Sequence, residues 1–560
     1  MTESIRGTFS PHWLRDALPS AGLAGSRSAT LHQDTRVPLA YRVDHRELRR
    51  FTALRWLGTL GAILIMVGGV GSGATPVVGN ELWGTPVGGI LGRMLQSTTI
   101  VTLVGMGMLV LAWLGVGAFV HAGERSRVTA VDTGMLARTF VGWVLPLMFT
   151  APLFTQDIYS YLAQGAIADR GMDPYTAGPV DLLGARDPLA RSVPVIWSHS
   201  PSPYGPTALV VAWAISAITG DHIMVSVLLH RIVSVAALFV AAWSLVKLAQ
   251  RCGVSPQYAL WLGVLNPLTL LHLVGGIHNE SILVAFLLAG LETCLLALHG
   301  PAGPHGADAP VQAGSPALTP RGWAIFAAGC ALIAMAGMVK VTGFVGLGFA
   351  GMALARRWGP SVLSVVRAAA VIAVIAAIVV IAFSLGSSLG LGWITSQGGA
   401  ASVRSWMSLT TLIGILSGLF GMLLGIGDVS DQAIELTHAL GLALAGAWML
   451  RMLWATFRGR IHPIGGYGLA MFVMVIVFPV VHPWYLLWAI VPLSAWANRG
   501  AFRVAVVVYS ALFSFFVLPR GLGLPPLTVL QIYVGAAVAF VACMVILAAI
   551  GARTRVFRVR

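Results

Sequence analysis

Charged side chains are scarce in this sequence of 560 residues. Asp, Glu, Lys and Arg make up 10% of the chain, whereas 57% of the residues are hydrophobic and the mean hydropathy is +0.84. Soluble globular chains carry about a quarter charged residues, so this composition excludes a soluble fold. Apolar runs of roughly 18 or more residues recur, and each can cross ~30 Å of hydrocarbon as a helix. We therefore expect an all-α integral membrane protein with many spans.

Cysteine is also rare, and common motifs of metal and nucleotide sites are missing. The four cysteines lie in or beside apolar segments without CxxC spacing, which indicates core residues rather than a disulfide framework; they are Cys252, Cys294, Cys330 and Cys543. No Walker-type phosphate loop or HExxH motif occurs, which argues against a nucleotide as the direct donor in a transfer reaction. The outer carboxylates leave a divalent cation open but lack the close DxD spacing that would indicate one. No cofactor is therefore indicated.

Hydropathy predicts about 13 to 14 transmembrane helices. We place them near residues 54–72, 97–120, 137–153, 222–246, 256–275, 277–298, 322–338, 341–355, 362–384, 432–455, 466–481, 483–497, 501–518 and 528–550. Two further apolar stretches, 206–219 and 407–427, are interpreted as interfacial or re-entrant, because a full span at either would move basic residues to the wrong side. The membrane domain is thus expected to cover residues 54–550.

The distribution of basic residues predicts the orientation. The net charge of +15 is interpreted as cytoplasmic loop charge rather than a nucleic-acid site. The basic tails 1–53 and 551–560 and the low-complexity linker 299–321 are expected in the cytoplasm. The large loop 154–221, after the third helix, and the Gly- and Ser-rich loop 385–431 are expected outside. We therefore predict a multi-pass plasma-membrane protein whose site faces the exterior.

The first large exterior loop begins with an acidic residue. Asp157 follows the third predicted span in the sequence FTQDIYSYLAQG, among apolar neighbours. Partial burial raises a carboxylate's affinity for protons, which suits a general base that takes a proton from a sugar hydroxyl. The alternative is that Asp157 caps a helix running from Ile158 to Asp169, and the two roles are compatible. Tyr159, in the same segment, is a candidate sugar or acceptor ligand.

Three further segments place polar and aromatic side chains at the same predicted face. GGIHNES supplies His278, Asn279 and Glu280, WSHSPSPYGPT supplies Tyr204, and VVHPWYLLW supplies His482 and Tyr485. Polar groups at the end of a helix pair are costly unless they pair or face a cavity, so we expect these residues to bind sugar or acceptor. Other interpretations stay open: a polar hairpin turn, a structural histidine at position 482, and aromatic residues of the membrane interface.

Two cations are candidates for binding a phosphate. Lys340, in AGMVKVTG, is one of only two lysines and is predicted at the outer face, where an ammonium group needs an anion. Arg404, in the second exterior loop, could hold two phosphate oxygens, and its alternative is a solvated loop residue. With Asp157 as base, this set describes sugar transfer from a polyprenyl phosphate to an exterior acceptor. The main alternative is a lipid-sugar transporter or flippase, whose polar residues should lie at broken helices near the midplane.

Five segments resemble those of the actinobacterial polyprenyl-phosphomannose-dependent α-1,6-mannosyltransferases, which build the lipomannan backbone. They are QDIYSYLAQG (156–165), GMDPYTAGP (171–179), SPYGP (202–206), GGIHNE (275–280) and HPWYLLWA (482–489). The resemblance favours a mannosyltransferase over an arabinosyl- or glucosyltransferase of the same superfamily, which composition cannot separate. It covers residues 140–500 and leaves out the N-terminal tail and the cytoplasmic linker.

The resemblance implies a polytopic GT-C fold with a catalytic acidic residue in the first large exterior loop, here Asp157. It also implies inverting transfer of mannose from β-linked polyprenyl phosphomannose to the 6-hydroxyl of a lipid-anchored mannan, of phosphatidylinositol mannoside or lipomannan type. Lipomannan and lipoarabinomannan of the cell envelope are the implied products. Lys340 and Arg404 would bind the phosphate, and His278 would orient sugar or base. At Glu280 the family often has Asp, which favours hydrogen bonding over catalysis at that position.

Overall fold

The computed structural model describes residues 31–32, 45–120, 131–302, 316–396, 405 and 407–553. Within these ranges the chain is helical and contains no strand, as the composition predicts. The longer helices are α1 (His45–Ser72), α2 (Leu95–Val116), α3 (Thr133–Leu147), α4 (Asp157–Asp169), α5 (Pro206–Thr219), α6 (Ile223–Arg251), α7 (Pro256–Gly263), α8 (Glu280–His299), α9 (Pro320–Gly337), α10 (Val345–Trp358), α11 (Val362–Gly386), α12 (Leu409–Leu423), α13 (Ser430–Phe457), α14 (Pro463–Val477), α15 (Leu487–Ser494), α16 (Gly500–Phe513) and α17 (Pro526–Arg553).

Shorter helical pieces connect these helices. They are the short helices Pro86–Leu91, Pro179–Leu183, Pro188–Ser192 and Val195–Ser198, the 3-10 turns Glu81–Gly84, Gly117–Phe119, Val341–Phe344, Gly392–Ile394, Pro483–Leu486 and Pro519–Gly521, and the π-helix Thr269–Gly275. Three of the short helices lie between α4 and α5, so the large predicted exterior loop is a folded unit. Its proline and glycine content rules out one continuous helix and permits several short ones.

Eight helices of the described ranges are long and apolar enough to cross a membrane. They are His45–Ser72, Leu95–Phe119, Ile223–Arg251, Glu280–His299, Pro320–Gly337, Val362–Gly386, Ser430–Phe457 and Pro526–Ile550. Five shorter apolar helices accompany them, at Pro206–Thr219, Leu409–Leu423, Pro463–Val477, Pro483–Ser494 and Gly500–Phe513. This is the helix content of a polytopic membrane protein, and the count of about 13 to 14 crossings stays a prediction.

The predicted continuous span 256–275 is wrong, because the chain breaks between α7 and the π-helix. Pro267 lacks an amide hydrogen and cannot continue a helix. Asn266 satisfies the break: its amide nitrogen donates to the Leu262 carbonyl at 3.0 Å, and its side-chain oxygen accepts from the Leu268 N–H at 2.9 Å. After the break, the chain continues through the interior of the protein to His278.

Two further helices stop before the predicted ends of their spans. The third predicted span, 137–153, ends at Leu147, and α14 ends at Val477. Each has fifteen residues and is therefore about 22 Å long, less than the ~30 Å of the hydrocarbon core. Non-helical backbone at such depth is tolerated where it lines a cavity. Broken helices are thus compatible with an enzyme here and do not by themselves indicate a transporter.

The stretch 206–219, predicted as interfacial or re-entrant, forms α5 and packs against α4. The two helices approach closely at Gly165, where a Cβ atom would lie 2.4 Å from the Ala212 carbonyl oxygen. This contact fixes the helix that begins with Asp157.

Gly165→Ala is therefore expected to destabilise the protein. The two helices must separate to admit the methyl group, and such overpacking costs about 1–3 kcal/mol. The thermal unfolding midpoint in detergent should therefore fall. Gly446→Ala on α13 is the matched control, since a Cβ there meets nothing within 4 Å and alanine favours helix. Equal midpoints for the two variants would contradict the close-packing account.

Candidate active site

Most of the site residues predicted from the sequence meet at one cavity of about 360 Å³. Its walls come from α4, the loop before α5, the turn before α8, the segment after α9 and the turn between α14 and α15. The predicted residues that line it are Asp157, Tyr204, His278, Glu280, Lys340, His482 and Tyr485. Segments separated by hundreds of residues thus contribute to one concave site, which is the usual form of an active site.

Asp157 is the first residue of α4, and its side chain is 27% exposed toward the cavity. The expected helix over 158–169 is present, but the N-cap residue is Gln156. Burial raises the pKa of the Asp157 carboxyl above its ordinary value, and the charge of Glu280 adds to the effect. Hydrogen bonds from Thr155 and Trp197 and the charge of Lys340 oppose it without reversing it. A carboxylate with raised proton affinity at a cavity wall is suited to general-base catalysis.

His278 lies next to this carboxylate. Its Nδ1 atom is 3.7 Å from Asp157 Oδ2, slightly longer than a hydrogen bond. Burial lowers the pKa of His278 well below its ordinary value, and His482 and Lys340 lower it further. The imidazole is therefore neutral at physiological pH and can orient Asp157 or a ligand without contributing charge.

A general-base role for Asp157, together with its raised pKa, predicts an acid limb in the pH profile of activity. The base works only when deprotonated, so kcat/KM should fall as the pH decreases through the pKa of the folded protein. That fall should begin above the range of an ordinary aspartate, whose pKa is about 3.9. Measurement of kcat/KM against pH in detergent checks this, and a profile that stays flat down to about pH 4 would contradict it.

Lys340 and Glu280 form a buried ion pair beside Asp157. Lys340 Nζ lies 2.8 Å from Glu280 Oε1 and donates to the Tyr485 hydroxyl at 3.1 Å. The ammonium group also lies 4.4 Å from the centre of the Tyr485 ring and 5.2 Å from that of Trp488. Burial, the largest single effect, lowers the pKa of Lys340, but the charge and hydrogen bond of Glu280 together with Tyr485 and Tyr204 outweigh it, so the pKa is raised well above its ordinary value. Lys340 is thus a permanent cation held against the cavity.

An aromatic stack forms another part of the wall. The Trp484 indole lies between two imidazoles, with ring centres 4.0 Å from His278 and 4.6 Å from His482. Both pairs are nearly parallel, at 19° and 9°. His278, Trp484 and His482 thus line the cavity as members of one stack.

Several polar atoms of the cavity residues have no hydrogen-bond partner within the described part of the chain. They are Ser160 Oγ, His278 Nε2, Glu280 Oε2, Thr342 Oγ1, Trp484 Nε1 and Trp488 Nε1. Buried polar atoms are normally paired, so these unpaired atoms, each with almost no exposed surface, become available to a polar ligand only when the cavity wall rearranges.

Two predicted site residues within the described ranges do not line this cavity, and a third lies outside those ranges. The Tyr159 hydroxyl donates to the Ala74 carbonyl at 2.7 Å, and its side chain is buried among apolar residues. Asn279 is buried at the start of α8 but is not part of the cavity wall. Arg404 lies outside the described residues.

A regular pattern on α4 identifies residues that sequence reasoning missed. Asp157, Ser160, Tyr161 and Gln164 all line the cavity, and their spacing of three, four and seven residues marks one helix face. Tyr159 lies two residues, or about 200°, from Asp157 and faces away.

Within the described ranges, the structure contains no group of three or more His, Cys, Asp and Glu side chains that could hold a metal ion.

Comparison with known proteins gives two family matches. Residues 55–356 match the family described as alpha-(1->6)-mannopyranosyltransferase, N-terminal domain, and residues 410–545 match the MptB C-terminal domain. The chain is similar to alpha-(1->6)-mannopyranosyltransferase B of Corynebacterium glutamicum, with 50% identity over 94% of this chain and 90% of the relative. An alpha-(1->6)-mannopyranosyltransferase of Mycobacterium tuberculosis is 38% identical over 87% and 86%, and the A enzyme of that organism is 31% identical over 81% and 82%. No solved structure matches the chain.

Proposed function

The chain belongs to the alpha-(1->6)-mannopyranosyltransferase family, and from that premise we propose that it takes mannose from polyprenyl phosphomannose at the cavity around Asp157. It is a multi-pass membrane hexosyltransferase that forms α-1,6 linkages between a mannosyl donor and a mannan acceptor. The lipid donor, the inverting course of the reaction and the residue roles are the proposed part. Membership of this family decides against the two alternatives, an arabinosyl- or glucosyltransferase and a lipid-sugar flippase.

One observation carries the proposal. A carboxylate with raised proton affinity and a permanent cation face the same cavity, and residues of a membrane helix line it as well. Leu442 belongs to α13, a candidate membrane span, and Phe478 follows α14. An apolar wall next to polar groups supports a donor with an apolar chain and a charged, sugar-bearing head.

The proposed chemistry is a single displacement. The acceptor 6-hydroxyl gives its proton to the Asp157 carboxylate as its oxygen bonds to C1 of mannose, and the bond between C1 and the phosphate oxygen breaks. The electron pair of that bond leaves with the polyprenyl phosphate. Attack opposite the leaving group converts a β-linked donor into an α-linked product. The general-base step supplies typically 10²- to 10⁴-fold in rate.

Lys340 is proposed to stabilise the leaving phosphate. An ammonium group has three N–H donors, and Glu280 and Tyr485 take two of them, which leaves one for a phosphate oxygen. A positioned cation lowers the energy of charge that develops in the transition state. Arg404 is proposed as a second phosphate contact on sequence grounds. Glu280 holds Lys340 in place, which agrees with a hydrogen-bonding rather than a catalytic role.

The sugar is proposed to bind among the polar atoms around the aromatic stack. His278, His482, Tyr204 and Tyr485 line this part of the cavity, and their side chains carry hydrogen-bonding groups suited to sugar hydroxyls. Tyr161 and Tyr204 are joined through their hydroxyls at 3.2 Å, which orders the wall near Asp157. We assign structural roles to Asn279 and Tyr159, which do not line the cavity, rather than roles in ligand binding.

The plasma membrane is the proposed location, and residues 54–550 form the proposed membrane domain. The basic tails 1–53 and 551–560 and the linker 299–321 are proposed to lie in the cytoplasm, and the site is proposed to face the exterior. The excess of Lys and Arg in the proposed cytoplasmic segments supports this orientation.

Val195 lies beside the cavity residue Trp197 and is 91% exposed, so a Val195→Cys variant should react with a membrane-impermeant maleimide on intact cells. Reaction only after permeabilisation would reverse the orientation.

The donor is tested with the purified native chain in detergent. It should transfer radiolabelled mannose from polyprenyl phosphomannose to a short α-1,6-mannoside, and NMR of the product should show a new α-1,6 linkage. No product should form from a guanosine-nucleotide mannose donor. Product from the nucleotide donor, or a β-linked product, would overturn the proposal.

A further inference from the structure

A buried arginine holds the two segments that lead into the site. Arg231 lies on α6, and 2% of its surface is exposed. Its Nη1 donates to the carbonyls of Met148 and Thr150 at 2.8 and 2.7 Å, and its Nε donates to that of Val274 at 3.1 Å. Its Nη2 lies 3.4 Å from the Gly275 carbonyl. Within the described ranges no carboxylate pairs with this guanidinium group, so backbone oxygens carry its charge.

The carbonyls belong to the ends of two broken helices. Met148 and Thr150 begin the non-helical stretch that runs from the end of α3 to Asp157. Val274 and Gly275 end the π-helix that precedes His278. Arg231 is thus bonded to the backbone before each of the two side chains that meet at 3.7 Å.

The same two stretches also contact each other and contain strained residues. The Leu153 N–H donates to the Gly275 carbonyl at 3.0 Å. Phe154 and Ile277 have φ of 64° and 57°, in the left-handed region that residues other than glycine seldom adopt. Such strain persists only where the surrounding structure enforces it, and it clusters at functional sites. Both strained residues lie within three positions of Asp157 or His278.

We propose that Arg231 is a positioning residue that sets the distance and orientation between Asp157 and His278 by bonding the backbone of both approach segments. It does not touch the substrate and acts through these two residues. A planar guanidinium group can bond carbonyls on both segments at once, whereas a lysine ammonium of similar charge lacks that fork. Since a displacement of about 1 Å in a catalytic geometry can lower the rate about 100-fold, loss of the fork should affect turnover.

This inference rests on the proposed role of Asp157, and its test uses Arg231→Lys in the full-length protein. We expect kcat to fall about 10- to 100-fold while the donor KM changes by less than about threefold, because the phosphate contact at Lys340 is left in place. Arg357→Lys is the matched control. Arg357 also bonds backbone carbonyls, those of Leu298 and Pro316, away from the cavity, and its variant should keep native kcat.

The double variant Asp157→Asn/Arg231→Lys separates this inference from the proposed function. If Arg231 acts through Asp157, the second change should cause little further loss, because residues that act as a unit are not additive. Full activity of Asp157→Asn alone would overturn the proposed function itself. Loss in Asp157→Asn with native kcat in Arg231→Lys would overturn only the positioning role.

A general structural role for Arg231 predicts different results. It would lower the amount of folded protein or raise the donor KM along with the fall in kcat, and it would add its loss to that of Asp157→Asn. Arg231→Gln, which keeps two N–H donors, provides a second variant if Arg231→Lys is poorly folded. Failure of both variants to fold would assign Arg231 to the fold as a whole and overturn the proposal.

Discussion

Asp157→Asn is expected to lower kcat by about 10²- to 10⁴-fold, the contribution of a general base. The amide keeps the shape of the carboxylate and its place at the start of α4, but it cannot accept the proton of the acceptor hydroxyl. Donor binding should change little, because the phosphate contact is assigned to Lys340. Steady-state transfer and equilibrium donor binding with purified protein measure the two effects separately.

The same substitution should not destabilise the protein at neutral pH. Burial raises the folded-state pKa of Asp157 above its unfolded value. The resulting stabilisation is therefore present below the unfolded pKa and is lost as the pH rises through the folded pKa. At neutral pH the native chain holds a partly desolvated carboxylate that the amide avoids. An unfolding midpoint at or above the native value would thus separate lost chemistry from lost folding.

Asp181→Asn is a matched control for this prediction. Asp181 lies on the same proposed exterior unit and pairs with the exposed His199 at 2.8 Å, away from the cavity lining. Its variant should retain native kcat. A similar loss in both variants, or native activity in Asp157→Asn, would remove Asp157 from the role of base.

Lys340→Met is expected to lower stability and donor affinity together. The change leaves Glu280, whose side chain is 2% exposed, as an unpaired buried carboxylate. Loss of one partner of a buried ion pair costs about 3–5 kcal/mol, and the 21% exposure of Lys340 favours the lower end. The donor KM should rise at least about tenfold, the effect of one charge-assisted hydrogen bond to a phosphate. Thermal unfolding and donor titration measure the two effects.

The double variant Lys340→Met/Glu280→Gln separates the two roles of Lys340. Removing the carboxylate charge should recover most of the lost stability, because no unpaired buried charge is left. Donor affinity should stay low, since the phosphate still lacks its cation. Recovery of both quantities would show that Lys340 serves only to neutralise Glu280.

Much of the membrane architecture follows from the sequence because hydropathy acts over one helix at a time. Long apolar runs such as 362–384 and 528–550 coincide with α11 and α17 within a few residues. The prediction of one helix over residues 256–275 was wrong because the average hydropathy of a segment does not reveal the break at Asn266 and Pro267. The Asn-Pro pair was the available signal, since proline ends a helix and asparagine can satisfy the freed backbone.

The candidate site was only partly predictable for a different reason. Segment ends rich in polar residues identified Asp157, His278 and Lys340, because unpaired polar groups are costly near hydrocarbon. Their partners depend on tertiary contacts: Lys340 and Glu280 lie 60 residues apart, and nothing local specifies that they pair. The helical period could have predicted that Tyr161, and not Tyr159, shares a helix face with Asp157. The hydrogen bonds of Arg231 to two distant segments could not have been predicted in this way.

The most direct test is a structure of the Asp157→Asn variant with bound polyprenyl phosphomannose, which should remain intact because transfer is slowed. The account predicts the mannosyl group inside the cavity, its phosphate within hydrogen-bond distance of Lys340 Nζ, and its C1 atom accessible from the side of residue 157. The lipid chain should leave the cavity past Leu442 and Phe478. Donor bound elsewhere, or with C1 screened from residue 157, would contradict the account.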